Sequence, residues 1–467
     1  MHIMNSRQSN LIRRLYGFYA DKVYFNLLLK IAIPITLQNA VSSSLNMVSS
    51  LIIGQKGEVA VAAVGLAGQI FFLLNLLLFG IGSGAAMFTA QLWGKKDIPE
   101  IRRVLALSLT LGTLAASVFF AFSKFAPQFI LRIFSEDPAV IIAGSEYLSL
   151  FAFSFFFFAI TFSYALVLRS VGEVKAPVIV SISALTINAL LTYGFVFGYL
   201  GMPELGLRGA ALAIVIARAL ECIALVGYTY YVHSPAAAGL HDFYRINFLY
   251  MGKILKPVLP VIANELLWSL GVTAYYVIYA HMGTDSLAAM NIVSTIDQMA
   301  LVILFGLTSA TAVIVGNRIG AREIDDAYLY GGRSLGLGAL IGVLIGMLVI
   351  FLSPMILSLY KVGPEVIYLA QRTLIFLGCF IWLRGMNAIN IVGNLRAGGD
   401  TTYSLILDGL IIWIVGVPLT AMAAFVLNLP LYYVYLFVLS EELLKCIFGL
   451  RRYFSRRWIH DLTFVNV

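Results

Sequence analysis

Residues 79–94, FGIGSGAAMFTAQLWG, return at 305–320 as FGLTSATAVIVGNRIG, so that Phe79, Gly80, Ser83, Ala86 and Gly94 are matched by Phe305, Gly306, Ser309, Ala312 and Gly320. The same displacement of 226 residues (34 to 260, 94 to 320) pairs Pro34 with Pro260, Gly57 with Gly283, and Ala62-Ala63 with Ala288-Ala289. Further along, Leu168-Arg169-Ser170-Val171-Gly172-Glu173 comes back 227 residues later as Leu395-Arg396-Ala397-Gly398-Gly399-Asp400. A repeat of this length, holding glycines and prolines in register, marks two related structural units.

Composition decides what kind of units these are. The 467 residues are 61% hydrophobic and only 12% charged, with a mean hydropathy of +0.93, far from the balance of a soluble domain. Crossing roughly 30 Å of hydrocarbon takes about 20 helical residues. Runs that long fall at 29–53, 64–92, 104–123, 139–168, 176–199 and 207–232, and again at 254–281, 286–315, 333–352, 366–394, 403–427 and 431–450. The expectation is an all-α integral membrane protein with twelve transmembrane helices in two six-helix lobes. It divides into an N-terminal cytoplasmic or interfacial segment (1–28), a first lobe (29–232), a cytoplasmic linker (233–252), a second lobe (253–452) and a cytoplasmic tail (453–467).

Cations give the orientation, because cytoplasmic loops collect Lys and Arg. Only five, Lys56, Lys124, Arg132 and Lys361 in the loops after odd-numbered spans and Arg208 at the outer edge of the sixth span, lie on the opposite side. Both termini are therefore expected in the cytoplasm, in a cell membrane of the inner or plasma type. Six spans per half is an even number, so the halves enter the membrane in the same sense, as parallel repeats do. The net charge of +8 follows the inner loops rather than one basic domain, which argues against a nucleic-acid partner. The stretch from Asn10 to Lys22 reads either as an amphipathic helix on the inner leaflet or as an irregular lead-in. No removed signal peptide is expected ahead of the first span.

Several chemistries lack their residues. The chain contains no GxxxxGK[ST] phosphate loop. Its five histidines (His2, His233, His241, His281, His460) are scattered, and Cys222, Cys379 and Cys446 lie within spans without metal or disulfide spacing. No cofactor, no metal centre and no obligate protein partner is expected, and any pumping must draw on an ion gradient.

Intramembrane acids carry the candidate chemistry, because a carboxylate in hydrocarbon is costly unless it faces a cavity or a partner. Glu265 and Asp297 fall near mid-membrane by a rise of about 1.5 Å per residue, and Asp408 falls nearer the inner side. These three are the candidates for coupling to a proton or sodium ion, with possible sodium binding at Glu265 and Asp297. Arg384 lies at the depth of Asp408, so the two could form a buried ion pair, and no cation is expected at the level of Asp297. Polar and aromatic residues recur at helical spacing around the acids: Asn264, Trp268 and Tyr275 on the seventh span, Asn291, Ser294 and Gln298 on the eighth, and Asn387, Asn390 and Asn394 on the tenth. With Arg384 they are read as the substrate cleft. Trp268, Tyr275 and Trp413 could hold a cation by ring-face attraction.

Other features read as structure. Gly342 and Gly346 form a GxxxG, which lets helices approach closely. Arg218 and Lys445, a repeat-related pair, are expected to form ion pairs with Glu221 and Glu441. Arg169 with Glu173, and Arg396 with Asp400, are expected to fix the inner turns. Pro34 and Pro260 each remove a helical hydrogen bond, as a flexible bend or a static kink.

Twelve spans, the parallel repeat, the inner-loop element Leu395–Thr401 with its first-half echo, and the small-residue second and eighth spans ending in Gly94 and Gly320 together resemble the multidrug and toxic compound extrusion (MATE) transporters. The resemblance implies two lobes around a central V-shaped cleft and export of organic compounds against protons or sodium ions. Aspartates that some members carry in the first half correspond here to Ser49 and Thr192. A seventh-span glutamate and tenth-span aspartate of another branch correspond approximately to Glu265, about one turn away, and Gly385. The functional expectation is a secondary antiporter exporting amphipathic, cationic organic molecules, with small organic substrates and membrane lipids as its partners. The alternatives are a flippase for lipids or lipid-linked oligosaccharides, a membrane-embedded enzyme, for which no nucleophile or metal constellation is found, and a sensor that has lost transport.

Overall fold

The computed structural model describes residues 21–199 and 201–463, so the stretch from Asn10 to Ala20 lies outside the described residues. Apart from one isolated bridge between Gly399 and Ile459, the described secondary structure is helical. In the first half the long helices are α1 (Lys22–Gly54), α2 (Glu58–Gly94), α3 (Ile98–Phe125), α4 (Pro138–Phe151 and Ser154–Ser170), α5 (Lys175–Phe197) and α6 (Gly206–Tyr231). The second half supplies α7 (Phe248–His281), α8 (Thr284–Gly320), α9 (Ile324–Leu357), α10 (Pro364–Arg396), α11 (Thr401–Val426) and α12 (Leu431–Phe454).

Eleven of these are long and apolar enough to cross a membrane when the two pieces of α4, bent by 49°, are taken as one span. The twelfth, α12, carries Glu441, Glu442 and Lys445 in its middle. The protein is a multi-pass membrane protein with twelve helical spans. The bend in α4 falls at Ala152–Phe153, where the sequence reads as a continuous apolar run without proline or glycine. Helix starts follow local chemistry: Asp137 accepts a hydrogen bond from the Ala139 N–H (2.8 Å) with Pro138 in the first turn, satisfying a donor that the helix itself leaves open.

The repeat is visible in the backbone. Gly172 and Gly399 both adopt φ of 85°, and Lys96 and Arg322 both adopt φ of 64°, a left-handed conformation that costs a side-chain-bearing residue about 1 kcal/mol and is kept at both copies.

The chain forms two compact units that do not follow the midpoint of the sequence. One contains residues up to Thr36 and Leu270–Asp461; the other contains Leu37–Ser269 with the last residues from Leu462. Helices α1 and α7, which correspond in the repeat, each pass from one unit to the other, and each carries internal proline ahead of the passage, Pro34 in α1 and Pro257 with Pro260 in α7.

In the unit built mainly from the second half, the start of α1 is tied down by Asp21, which accepts from Arg333 of α9 (2.6 Å), and by Tyr24, whose hydroxyl bonds Ser334 (2.8 Å). The Tyr24 N–H and the Arg333 guanidinium hold the Asp21 carboxyl below its ordinary value of 3.8. The core of this unit runs from Tyr275 through Ile296, Leu304, Leu377 and Ile412 to Val434. The GxxxG of α9 does bring two backbones together: Gly342 lies against Trp382 and Gly346 against Gly378, both of α10.

In the other unit the first part of α7 packs on α2, with Gly80 against Ile262 and Gly84 against Val258. Its core includes Leu74, Leu148, Phe155, Leu105 and Leu168.

The inner turns are held differently from the sequence expectation. Arg169 donates to Gln38 (2.6 Å) and Glu173 accepts from Ser234 (3.1 Å). Asp400 takes Arg452 of α12 (2.6 Å) as its partner. Trp458 is fully buried, stacked on Tyr453 at 5.6 Å, and the His460 N–H donates to Gly398 (2.8 Å). The turn is therefore locked by the end of α12 and the residues after it, whose sequence separation hides the pairing.

Candidate functional site

Most of the intramembrane charge gathers in the unit built from the second half, on α8, α10, α11 and α12. Lys445 of α12 has a side chain only 2% exposed, and it stands among three carboxylates: Asp408 of α11 at 3.0 Å, Glu441 at 3.2 Å and Glu442 at 3.9 Å. A residue four positions earlier on a helix faces the same side, which explains Glu441. Asp408 reaches Lys445 from α11, a helix that is π-helical over Leu405–Leu410 and Ile412–Gly416. Each π turn advances the register relative to an α-helix, and such turns recur at functional sites.

Two neutral groups complete this cluster. The Tyr275 hydroxyl of α7 donates to Glu441 Oε2 (2.8 Å), and Asn387 of α10 donates through Nδ2 to Glu442 Oε2 (2.7 Å) and to the Glu442 carbonyl (2.8 Å). Gly416 leaves room for this: a side chain there would strike both the Tyr275 hydroxyl and Glu441. One turn along α10 from Asn387, Asn390 is 2% exposed and its Oδ1 has no hydrogen-bond partner among the described residues. Its Nδ2 faces Gly449, one turn along α12 from Lys445. Asn394, fully buried, has neither amide atom bonded among the described residues.

Arg384 of α10 grips Asp297 of α8 with both carboxylate oxygens at 2.6 Å. Here the sequence expectation is corrected. Asp297 does have a cation at its level, and Arg384 pairs with it rather than with Asp408. The reason is packing: α8 lies directly against α10, while Asp408, displaced by the π turns, faces Lys445. The expected pairs of Lys445 with Glu441 and of Arg218 with Glu221 (2.6 Å) are present.

The other sequence candidates lie elsewhere on α7 and α8. Asn264, Glu265 and Trp268 belong to the unit of Leu37–Ser269; Asn264 is buried, and Trp268 is 37% exposed. Asn291 and Gln298 of α8 are exposed, and Gln298 donates to Ser294 at 3.2 Å. The acid absent from the sequence candidates is Glu442, the neighbour of Glu441. The consecutive acids at 441–442 in the middle of a span were the available signal.

In the unit of Leu37–Ser269, a cavity of about 150 Å³ is lined by Asn46, Asn188, Arg218 and Glu221 together with Phe71 and Phe151. The Arg218 guanidinium also lies 5.0 Å from the Phe158 ring. Among the described residues, no group of three or more His, Cys, Asp or Glu side chains is placed to hold a metal ion.

The family model described as MatE matches residues 34–194 and 260–422. The chain is 27% identical to the probable multidrug resistance protein YoeA of Bacillus subtilis, over 85% of each chain. It is 22% identical to the probable multidrug resistance protein NorM of Thermotoga maritima, over 92% of each. A solved structure described as an outward-facing conformation of a multidrug resistance MATE family transporter superposes with a TM-score of 0.82 at 18% identity, covering 92% of this chain and 96% of the other.

Proposed function

This chain belongs to the MATE family of multidrug efflux transporters, and on that premise we propose that it is a secondary antiporter exporting amphipathic organic cations in exchange for protons or sodium ions, working in the plasma membrane with both termini in the cytoplasm. The observation that carries the coupling reading is the balance of buried charge around α12. Arg384 and Lys445 face four carboxylates, those of Asp297, Asp408, Glu441 and Glu442. A surplus of negative charge in a medium that solvates ions poorly is relieved by taking up protons, a metal cation or an organic cation. Antiport is the alternation of such occupants at one site.

Glu265, Asp297 and Asp408 are the proposed coupling acids, each with a different standing. Asp297 and Asp408 are each within 3.0 Å of a cation. Glu265, in the other unit, is the acid to test first. The proposed substrate-facing residues are Asn264, Trp268, Tyr275, Asn291, Ser294, Gln298, Arg384, Asn387 and Asn390. A proton entering through a potential of 100 mV releases about 2.3 kcal/mol, enough to sustain a concentration ratio of roughly fifty for the exported compound. The flippase alternative expects bare cations able to hold phosphate; Arg384 and Lys445 are instead outnumbered by acids.

The test is ethidium efflux from proteoliposomes under separately imposed proton and sodium gradients. Wild-type protein is expected to move ethidium under at least one gradient, and Glu265→Gln to lose at least tenfold of that gradient-driven rate while remaining folded. Efflux untouched in Glu265→Gln would remove that acid from the coupling machinery. No efflux by the wild type under either gradient would defeat the antiport reading.

A further inference from the structure

We propose that Arg372 of α10, set among aromatic rings of α10 and α12, holds the phosphate of an anionic phospholipid at the membrane interface. Three arginines fall inside the spans read from the sequence: Arg218, Arg372 and Arg384. Two of them have acids, Glu221 for Arg218 and Asp297 for Arg384, each at 2.6 Å. The Arg372 side chain forms no ion pair or hydrogen bond among the described residues, and it meets the ring of Tyr368 at 5.5 Å. Glu365, in the first turn of the same helix, is not its partner. Arg372 is also exposed on the surface of its unit. A charged side chain within a span is costly and ordinarily turns to an interior partner, so an exposed one calls for a counter-charge from outside the chain.

Its depth suits a headgroup rather than hydrocarbon. Helix α10 runs for 33 residues, Pro364–Arg396, roughly 50 Å at 1.5 Å per residue. That exceeds roughly 30 Å of hydrocarbon by about 20 Å, or about 10 Å at each end if shared evenly. Arg372 stands a little over two turns inside Pro364, about 12 Å along the helix, and a long cationic side chain reaches from such a depth to the interface. On the orientation proposed above, Pro364 is the outer end of α10, where the cation excess of the inner loops does not account for an arginine.

The rings around it complete the site. Tyr368, Arg372 and Phe376 recur at a spacing of four and so share one face of α10. Tyr432 of α12 closes on that face, edge-on to Tyr368 at 6.2 Å and stacked with Phe376 at 6.4 Å, and Tyr433 lies beside it at 4.7 Å. The charge of Arg372 reaches Tyr432. Tyr368 and Tyr433 are 44% and 45% exposed, and tyrosine rings of this kind sit at headgroup level. Helix α12 begins here, at Leu431, with no side-chain cap on its first N–H groups, and a helix start favours an anion. A phosphodiester takes up the guanidinium donors in a fork, and its single negative charge balances the single cation. The same charge repels a cationic occupant, which separates this site in kind from the acid-rich cluster of Arg384 and Lys445.

The test is native mass spectrometry of the delipidated full chain in detergent, titrated with phosphatidylglycerol, with a diacylglycerol of the same acyl chains, and with glycerophosphate. Wild-type protein is expected to retain phosphatidylglycerol and neither of the others. Arg372→Gln should fold, because the side chain it replaces is exposed and makes no hydrogen bond among the described residues. It should bind the first phosphatidylglycerol about fivefold more weakly, the factor one cation supplies at a membrane surface. Arg451→Gln, which removes an exposed arginine near the other end of α12, should leave that affinity unchanged. Equal affinity in Arg372→Gln and the wild type overturns the assignment, and so does an equal loss in Arg451→Gln. Glycerophosphate bound as tightly as phosphatidylglycerol makes the ligand a soluble phosphate and overturns the lipid. The readout contains no transport step, so a failure of the antiport reading leaves this assignment standing.

Discussion

Replacing Lys445 with methionine is expected to cost about 3–5 kcal/mol, the range for breaking a buried ion pair from one side. The fit of the methionine side chain is not the difficulty, since its length is close to that of lysine and it packs adaptably. The cost arises because Asp408 and Glu441, within 3.2 Å of the ammonium, would be left buried without it. Tyr275 still donates to Glu441, but one neutral hydroxyl does not balance several carboxylates. In detergent the variant should lose folded, monodisperse protein at temperatures the wild type survives. Adding Glu441→Gln or Asp408→Asn to Lys445→Met should recover part of the loss, because each removes a stranded charge. The recovery, measured as a double-mutant cycle, is the coupling energy of that pair. Equal losses in the single and double variants would show that Lys445 is held by packing alone.

This prediction also marks where the sequence was readable. The repeat gave Lys445 a counterpart in Arg218, helical spacing gave each an acid one turn away, and both pairs are present at 3.2 Å and 2.6 Å. Pairings within one helix depend only on a period of about 3.6 residues, so they survive without knowledge of the fold. Pairings between helices depend on rotation and depth. Depth estimated for an ideal α-helix put Arg384 beside Asp408, but α11 is π-helical on both sides of Ile411, and its register is displaced. Arg384 reaches Asp297 instead. Nothing in the residues of 405–416 announces that displacement.

The two-unit division was equally hidden. Composition and spacing separate the chain at its polar middle, whereas the start of α1 packs with the second half through Asp21 and Tyr24 and the start of α7 packs on α2. An exchange of this kind is reciprocal by symmetry, yet a linear reading has no means of seeing it. The inner turns show the same limit: the glycines of the repeat are legible as left-handed positions, while the partners of Asp400 and Glu173, Arg452 and Ser234, come from distant segments.

Where the sequence motif does fix a contact between helices, the same substitution should have opposite effects at two glycines. Gly346→Ala places a methyl group against the Gly378 carbonyl oxygen, with Ile381 of α10 close behind it. The obstacle is backbone, so it cannot turn aside as a side chain would; α9 and α10 must separate. Overpacking of this type costs about 1–3 kcal/mol, and separation here would also disturb Gly342 against Trp382, which places the expected loss at the upper end of that range. Gly68→Ala is the opposite case. Gly68 sits in α2 with nothing near the position of the added methyl, and alanine in a helix interior is favoured over glycine by about 1 kcal/mol. The first variant should therefore unfold at a lower temperature than the wild type, and the second at the same or a higher one. A tolerated Gly346→Ala would mean that α9 and α10 are not in backbone contact, and the GxxxG would lose its role as the motif that sets their approach.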